Sequence, residues 1–354
     1  MNLKNKKVKV SLMCIIGIII IGIVVTISSN HFNANYDNLS EADQKILMEF
    51  DKYSKSNSES PIWKDFDLED KTILSIDKST KKAFLINPKN DVSNIFTKKI
   101  NMPENSAITV YRISALAPQM LQFVFDGNFN TTGKTYKVFG NEIFYTKYSD
   151  SQSIKQEFTS SHYITFLSHE SFHYYMQENW AGGSRFSTDS LREKDIELIG
   201  KEYEVLGKIQ EALLSGNTSK DTLLGYTKEY VNIMDQRIKE NKEYLNSELS
   251  METAEGTATY VGIKASDIVG YDYGVMYFDN AKNVSISEVI PKLNEGYLEK
   301  SFLAERMPYE TGALLCLLMD SLNVPDWQEK LNEQTKDNPV TLYSILKKFS
   351  ESNW

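Results

Sequence analysis

The stretch His169-Glu170-Ser171-Phe172-His173 constrains this chain more than any other. Imidazoles at positions i and i+4 of a helix leave the same face, about 6 Å apart along the axis. That spacing lets both reach one tetrahedral Zn2+ ion. Glu170, beside the first imidazole, is placed to act as general base toward a water that such an ion activates. The flanks favour a helix. Ile164, Leu167, Phe172 and Met176 form an apolar side, and no Pro or Gly falls between residues 151 and 180. Residues 153–158 are expected to open this helix.

A catalytic zinc site takes three protein ligands and keeps one position open. His162 shares the helix face of His169, but about 10 Å along the axis is too far for the same ion. It reads as a helix-surface or supporting residue. His31 falls in a polar stretch near the N-terminus. The third ligand is therefore expected to be a carboxylate. Glu255, in Ala254-Glu255-Gly256-Thr257-Ala258-Thr259-Tyr260, has small neighbours that let its helix approach the motif helix closely. Glu252, one turn earlier, is the rival.

Composition narrows the rest. The chain has 354 residues with 41% hydrophobic and 25% charged side chains, as in ordinary globular proteins. Its net charge of −9 gives no electrostatic case for nucleic acid as a partner. Of the two cysteines, Cys14 lies in the N-terminal apolar run, so no disulfide with Cys316 is expected within the folded region. Lys4, Lys6, Lys7 and Lys9 precede the uncharged run 10–28, which is long enough to span a hydrocarbon core of about 30 Å. Residues 1–29 therefore read as a signal peptide or an uncleaved membrane anchor. The length of the run favours the anchor. The basic flank stays inside, and the rest of the chain lies outside the membrane or is secreted. Met13 before Cys14, with the apolar run after it, argues against a lipid-modified cysteine.

Along the chain, 30–60 is expected to hold a polar tether and a short helix. Ser40 and Asp43 mark the helix start, Ile46, Leu47 and Phe50 form its stripe, and it stops near Ser54 before a Ser-rich linker. Region 61–150 reads as a β-rich subdomain with strands at 72–76, 83–86, 108–113, 136–139 and 143–145, the last after a bend at Gly140-Asn141. Region 151–354 reads as helical. Two periodic stretches, 196–213 and 223–238, flank the turn Ser215-Gly216-Asn217-Thr218 and make an αα-hairpin. Further helices are expected near 248–262, 286–293, 309–322 and 341–349.

With these residues in view, the chain resembles the gluzincins, the H-E-x-x-H…E metallopeptidases. It is most similar to their alanyl aminopeptidase branch, in which N-E-G-F-A carries the third ligand. The resemblance implies that His169, His173 and Glu255 bind Zn2+ and that Glu170 is the catalytic base. The 82 residues from His173 to Glu255 exceed the family's usual gap, and the hairpin at about 189–246 accounts for the excess as an insertion. Thr259 stands where thermolysin-like members carry an Asp, so support for a ligand imidazole is expected elsewhere, with Glu252 a candidate. Tyr309-Glu310-Thr311-Gly312-Ala313 resembles the Y-E-K-G-A segment, which makes Tyr309 a stabiliser of the oxyanion. Tyr271, Tyr273 and Tyr277 are its nearest replacements. The G-A-M-E-N segment is absent. Gly140-Asn141-Glu142 precedes the motif at a similar distance, and Glu142 is the candidate to hold a substrate amino group, on an edge strand open to an extended peptide.

The expectation is an α+β, zincin-like fold: a small mixed or antiparallel sheet packed on the motif helix, then a mainly helical region closing the cleft. The expected activity is zinc-dependent hydrolysis of peptide or protein substrates outside the membrane, endopeptidase rather than aminopeptidase. The rival readings are a surface binding protein that retains the fold without catalysis, and a zinc hydrolase of non-peptide bonds.

Overall fold

The uncharged N-terminal run forms a single helix, α1 (Leu3–Phe32), whose segment Val8–Ser28 has a mean hydropathy of 3.0 and is long and apolar enough to cross a membrane. It ends at Phe32, three residues into the stretch read as a tether. The computed structural model describes residues 3–32, 34–156, 159–278 and 280–353. They divide into two compact units, 1–59 with 67–155, and 60–66 with 156–354. The fold is α+β, with a small mixed sheet on the N-terminal side and a helical C-terminal region.

In the first unit, Ser40 Oγ accepts from Asp43 N at 3.2 Å and starts α2 (Glu41–Glu59). This helix passes the expected stop at Ser54. Ser58 bonds back to Ser54 O, and the Asn57 amide donates to the Glu69 carboxylate, so the Ser-rich stretch is held in helical form. The sheet contains β1 (Ile73–Asp77), β2 (Ala83–Ile86), β3 (Thr97–Lys99), β4 (Val110–Ile113), β5 (Tyr136–Val138) and β6 (Asn141–Tyr148). Its order is β3-β4-β2-β1-β6-β5. All pairs are antiparallel except β1 with β6, which run parallel from Ile73 opposite Phe144 to Asp77 opposite Tyr148. The β5–β6 turn is Phe139-Gly140, both at positive φ (48° and 78°), one residue earlier than the sequence suggests. The core under this sheet gathers Leu74, Leu85, Tyr111, Phe123, Tyr136 and Tyr145. Strand β3 was not expected, because Thr-Lys-Lys lacks apolar alternation; it is an edge strand, where lysines are favoured.

The motif helix is shorter than its periodicity suggests. A short helix, α3 (Asp150–Ser153), comes first, the described residues between it and α4 are non-helical, and α4 spans Tyr163–Met176. Glu157 and Phe158, expected to open the motif helix, lie outside the described residues. Thr159, Ser160 and Ser161 favour local bonds over a helix, and Ser161 N donates to Thr159 Oγ1 at 3.0 Å. His162 consequently sits at the N-cap of α4 with an extended ψ of 142°. It is buried there, stacked on Tyr271 at 3.6 Å between ring centroids.

The second unit continues with α5 (Glu193–Ser215) and α6 (Lys220–Glu240), joined through Gly216 in the left-handed conformation. Asn241 alone separates α6 from α7 (Lys242–Val269). The range expected for the insertion, about 189–246, holds α5, α6 and the first turn of α7. Arg237 of α6 makes a bidentate pair with Glu248 of α7 (2.6 and 2.8 Å) and a further ion pair with Glu202 of α5, all three buried. Then follow α8 (Val289–Asn294), α9 (Phe302–Glu305), α10 (Met307–Leu322), α11 (Trp327–Asn332) and α12 (Leu342–Ser352).

Helix α7 is the centre of this unit. A Cβ on Gly256 would come within 2.3 Å of Gly312 Cα on α10, so the two glycines let these backbones touch. On the side toward α4, a Cβ on Gly262 would meet Thr165 O at 3.2 Å and His169 Cβ at 3.8 Å. Thr165 and Ser266 share a buried hydroxyl–hydroxyl bond across the same contact. Of the small residues expected to let this helix approach the motif helix, Gly256 instead meets α10, and Gly262, two turns on, meets α4. Behind α4, Phe172 packs edge-on against Trp63 and Phe66, which explains why 60–66 belongs to the helical unit.

Candidate metal centre

Helix α4 presents His169 and His173 on one face, and α7 presents Glu255 toward them. His173 Nε2 lies 3.1 Å from His169 Nε2 and 3.1 Å from Glu255 Oε2, and His169 Nε2 lies 3.5 Å from Glu255 Oε2. Bonds of about 2.0–2.1 Å meeting at the tetrahedral angle put ligand atoms about 3.3–3.4 Å apart. The three edges bracket that value. Two imidazole nitrogens with one carboxylate oxygen also match the donors that zinc and neighbouring transition metals take, whereas calcium and magnesium take oxygen. This is the one group among the described residues arranged to hold a metal ion. All three side chains stay partly exposed, which leaves an open side.

The orientation of His173 is fixed from behind. Its Nδ1 lies 2.7 Å from Gln177 Oε1. The Gln177 amide nitrogen donates to Ala254 O and Thr257 Oγ1, both at 2.9 Å. The Thr257 hydroxyl in turn donates to backbone carbonyls on its own helix. With its NH2 committed to acceptors, Gln177 offers only its carbonyl oxygen to His173. Nδ1 therefore carries a proton, and Nε2 faces Glu255.

Electrostatics hold the group together. Burial works against ionised Glu255, but hydrogen bonds from His169 and His173 keep its carboxyl well below the usual range. Burial likewise opposes a charged His173, and Glu255 overcomes this and raises it. Burial pushes Glu170 up, against the pull of His169 and His173. Tyr309, at the start of α10, lies with its ring nearly parallel to that of His169, 6.2 Å between centroids. Burial and the neighbouring Glu255 carboxylate raise Tyr309 above the ordinary phenol value, so it remains a donor at neutral pH.

The structure thus gathers His169, Glu170, His173, Glu255 and Tyr309. Glu252 does not join them. It is buried on another side of α7, where Oε1 accepts from Thr311 Oγ1 at 2.6 Å, so it neither replaces Glu255 nor supports an imidazole. That support comes from Gln177, which the sequence reading missed although it continues the His169, His173 series at i+4. His162 is a buried cap-position residue, with Nε2 2.7 Å from Gln156 O. Tyr277 bonds Asp272 at 2.8 Å, and Tyr273 is buried. Glu142 belongs to the sheet unit. It is exposed on β6 opposite Lys137, and β6 lies between β1 and β5 rather than at an edge. No protein-family model matches the chain, and no match is found among curated proteins or solved structures.

Proposed function

We propose that the chain is a zinc-dependent peptidase of gluzincin type, with a zincin-like catalytic fold, held at a membrane by α1. The observation that carries this reading is the convergence of His169, His173 and Glu255 at tetrahedral edge distances, with Glu170 and Tyr309 beside them. His169, His173 and Glu255 would hold the ion. Zinc so bound lowers the pKa of water and polarises a substrate carbonyl.

The rest falls to the protein's own side chains. Glu170 takes the proton of the attacking water, and a carboxyl raised by burial is better matched to that task near neutral pH. It then passes the proton to the leaving amine. Tyr309 donates its hydroxyl to the oxygen that becomes negative as the carbonyl carbon turns tetrahedral. Gln177 keeps His173 turned with Nε2 toward the site. Lack of the G-A-M-E-N segment favours endopeptidase action, with Glu142 left as the candidate amine anchor for an aminopeptidase.

The test is a peptide-library cleavage screen on the full chain loaded with zinc, run beside a chelator-treated sample. The expected result is cleavage that stops with chelation and returns with zinc. Zinc bound at one equivalent without cleavage of any peptide would overturn the peptidase reading in favour of a non-catalytic surface protein or a hydrolase of other bonds.

A further inference from the structure

The sheet unit exposes an apolar tip that its own fold does not use. Among the described residues outside α1, eight large apolar side chains are strongly exposed, and four of them lie within residues 116–125: Leu116 (43%), Leu121 (67%), Val124 (56%) and Phe125 (97%). The segment includes a 3₁₀ turn, Pro118–Phe123, whose Met120 and Phe123 point into the core. The tip is thereby anchored from beneath while Leu121, Val124 and Phe125 face outward. Isolated exposed apolar residues are ordinary, but a contiguous group of them marks an interaction surface.

The position of this tip relative to α1 indicates what covers it. The membrane-length segment ends at Ser28. Six residues later the chain is stitched to the sheet, where Asn101 N donates to Ala34 O at 3.0 Å and Tyr36 N donates to Asn101 O at 3.3 Å. Six residues reach no further than about 20 Å. Asn101 follows edge strand β3, and at the other end of β3 the Phe96 carbonyl accepts from Ser114 N at 2.8 Å, two residues before Leu116. From Phe96 to Asn101 is about 17 Å of extended chain. One short strand therefore links the exit of α1 to the apolar tip. Lys98 and Lys99, both exposed, lie along it, and lysines near a bilayer surface favour anionic headgroups.

We propose that residues 116–125 form a second membrane contact, in which Leu121, Val124 and Phe125 dip into the lipid surface beside the bilayer that α1 crosses. This rests on α1 being retained as an anchor. The contact would hold the sheet unit against the membrane at a second point beside α1, the two-signal arrangement that makes attachment stable.

The test uses the full chain reconstituted in phosphatidylcholine vesicles containing phosphatidylglycerol. An environment-sensitive fluorophore is placed on native Cys14 in one sample and at position 125 of a Phe125→Cys, Cys14→Ser variant in another; Cys316 is buried and stays unlabelled. Phe125 is almost fully exposed, so its replacement leaves the core intact. Lipids carrying a nitroxide on the acyl chain are expected to quench both labels. Adding Leu121→Ser and Val124→Ser is expected to reduce quenching at position 125 several-fold, and the same pair of changes in the native-cysteine sample is expected to leave quenching at Cys14 unchanged. Quenching at Cys14 with none at position 125 overturns the second contact while the anchor stands. A blue-shifted but unquenched label at position 125 means that protein covers the tip, which also overturns it. No quenching at Cys14 overturns the anchor reading and this inference with it.

Discussion

His173 Nδ1 and Gln177 Oε1 lie 2.7 Å apart, one helical turn from each other. The Gln177 amide also reaches Ala254 O on the helix that carries Glu255. One side chain thus turns the His173 imidazole and ties it to the turn that carries Glu255. Gln177→Leu keeps the bulk and removes these bonds together with the one to Thr257 Oγ1. Metal affinity, measured by competition with a chelating dye, is expected to fall about 10–100-fold, with thermal stability of the metal-free protein little changed. Gln177→Glu keeps an acceptor for Nδ1 but sets a carboxylate against Ala254 O, and is expected to lose less affinity than the leucine variant. Unchanged affinity in Gln177→Leu would mean that the imidazole needs no support from this amide.

Tyr309 is expected to act on turnover rather than on binding. Its hydroxyl is beside Glu255, and the oxygen it serves becomes charged only as the reaction proceeds. Tyr309→Phe keeps the ring packed near His169. The expected outcome is a fall in kcat on the order of 10²-fold with KM and metal content nearly unchanged. Steady-state kinetics on a cleavable peptide decide it, and a normal kcat would make Tyr309 a packing residue.

The buried Arg237 cluster gives a pH dependence that owes nothing to catalysis. Burial pushes Glu202 up to about 7, against the pull of Arg237, while Glu248 pairs with the guanidinium through both oxygens. A carboxyl raised in the folded state binds protons more readily than in the unfolded chain. Its contribution to stability is full below the ordinary value of 4.5 and is lost as pH rises through about 7. Glu202→Gln removes that loss. Denaturant unfolding at pH 5 and pH 8 is expected to show the variant gaining on the native protein by roughly 1–3 kcal/mol between the two. A gap that does not change with pH would contradict it. Arg237→Met leaves two buried carboxyls without their cation and is expected to cost about 3–5 kcal/mol at pH 8.

The convergence of His169, His173 and Glu255 was legible because helix geometry alone sets the i, i+4 relation of His169 and His173, and because Glu255 stands among small residues. Tyr309 became legible only through the resemblance of its segment, since a lone Tyr at a helix start says nothing about what it faces. Which glycine meets which helix was not legible. The small residues beside Glu255 read as the close approach to the motif helix, and only the packing of α7 between α4 and α10 sets Gly256 against Gly312 and Gly262 against Thr165 and His169. The start of α4 was misread because apolar periodicity is blind to Thr159-Ser160-Ser161, whose side chains compete for the backbone. Strand β3 carries no apolar pattern and forms because β4 offers it a partner.

The central claim, that Glu170 moves the proton in a hydrolysis for which His169, His173 and Glu255 hold the metal, is tested most directly by Glu170→Gln. The substitution keeps side-chain volume and leaves all three ligands in place. The measurement is zinc content and peptide turnover on the same purified sample, beside the native protein. The expected result is zinc at one equivalent in both, with turnover in the variant lowered by at least about 10²-fold. Turnover equal to that of the native protein, at equal zinc content, would contradict the account.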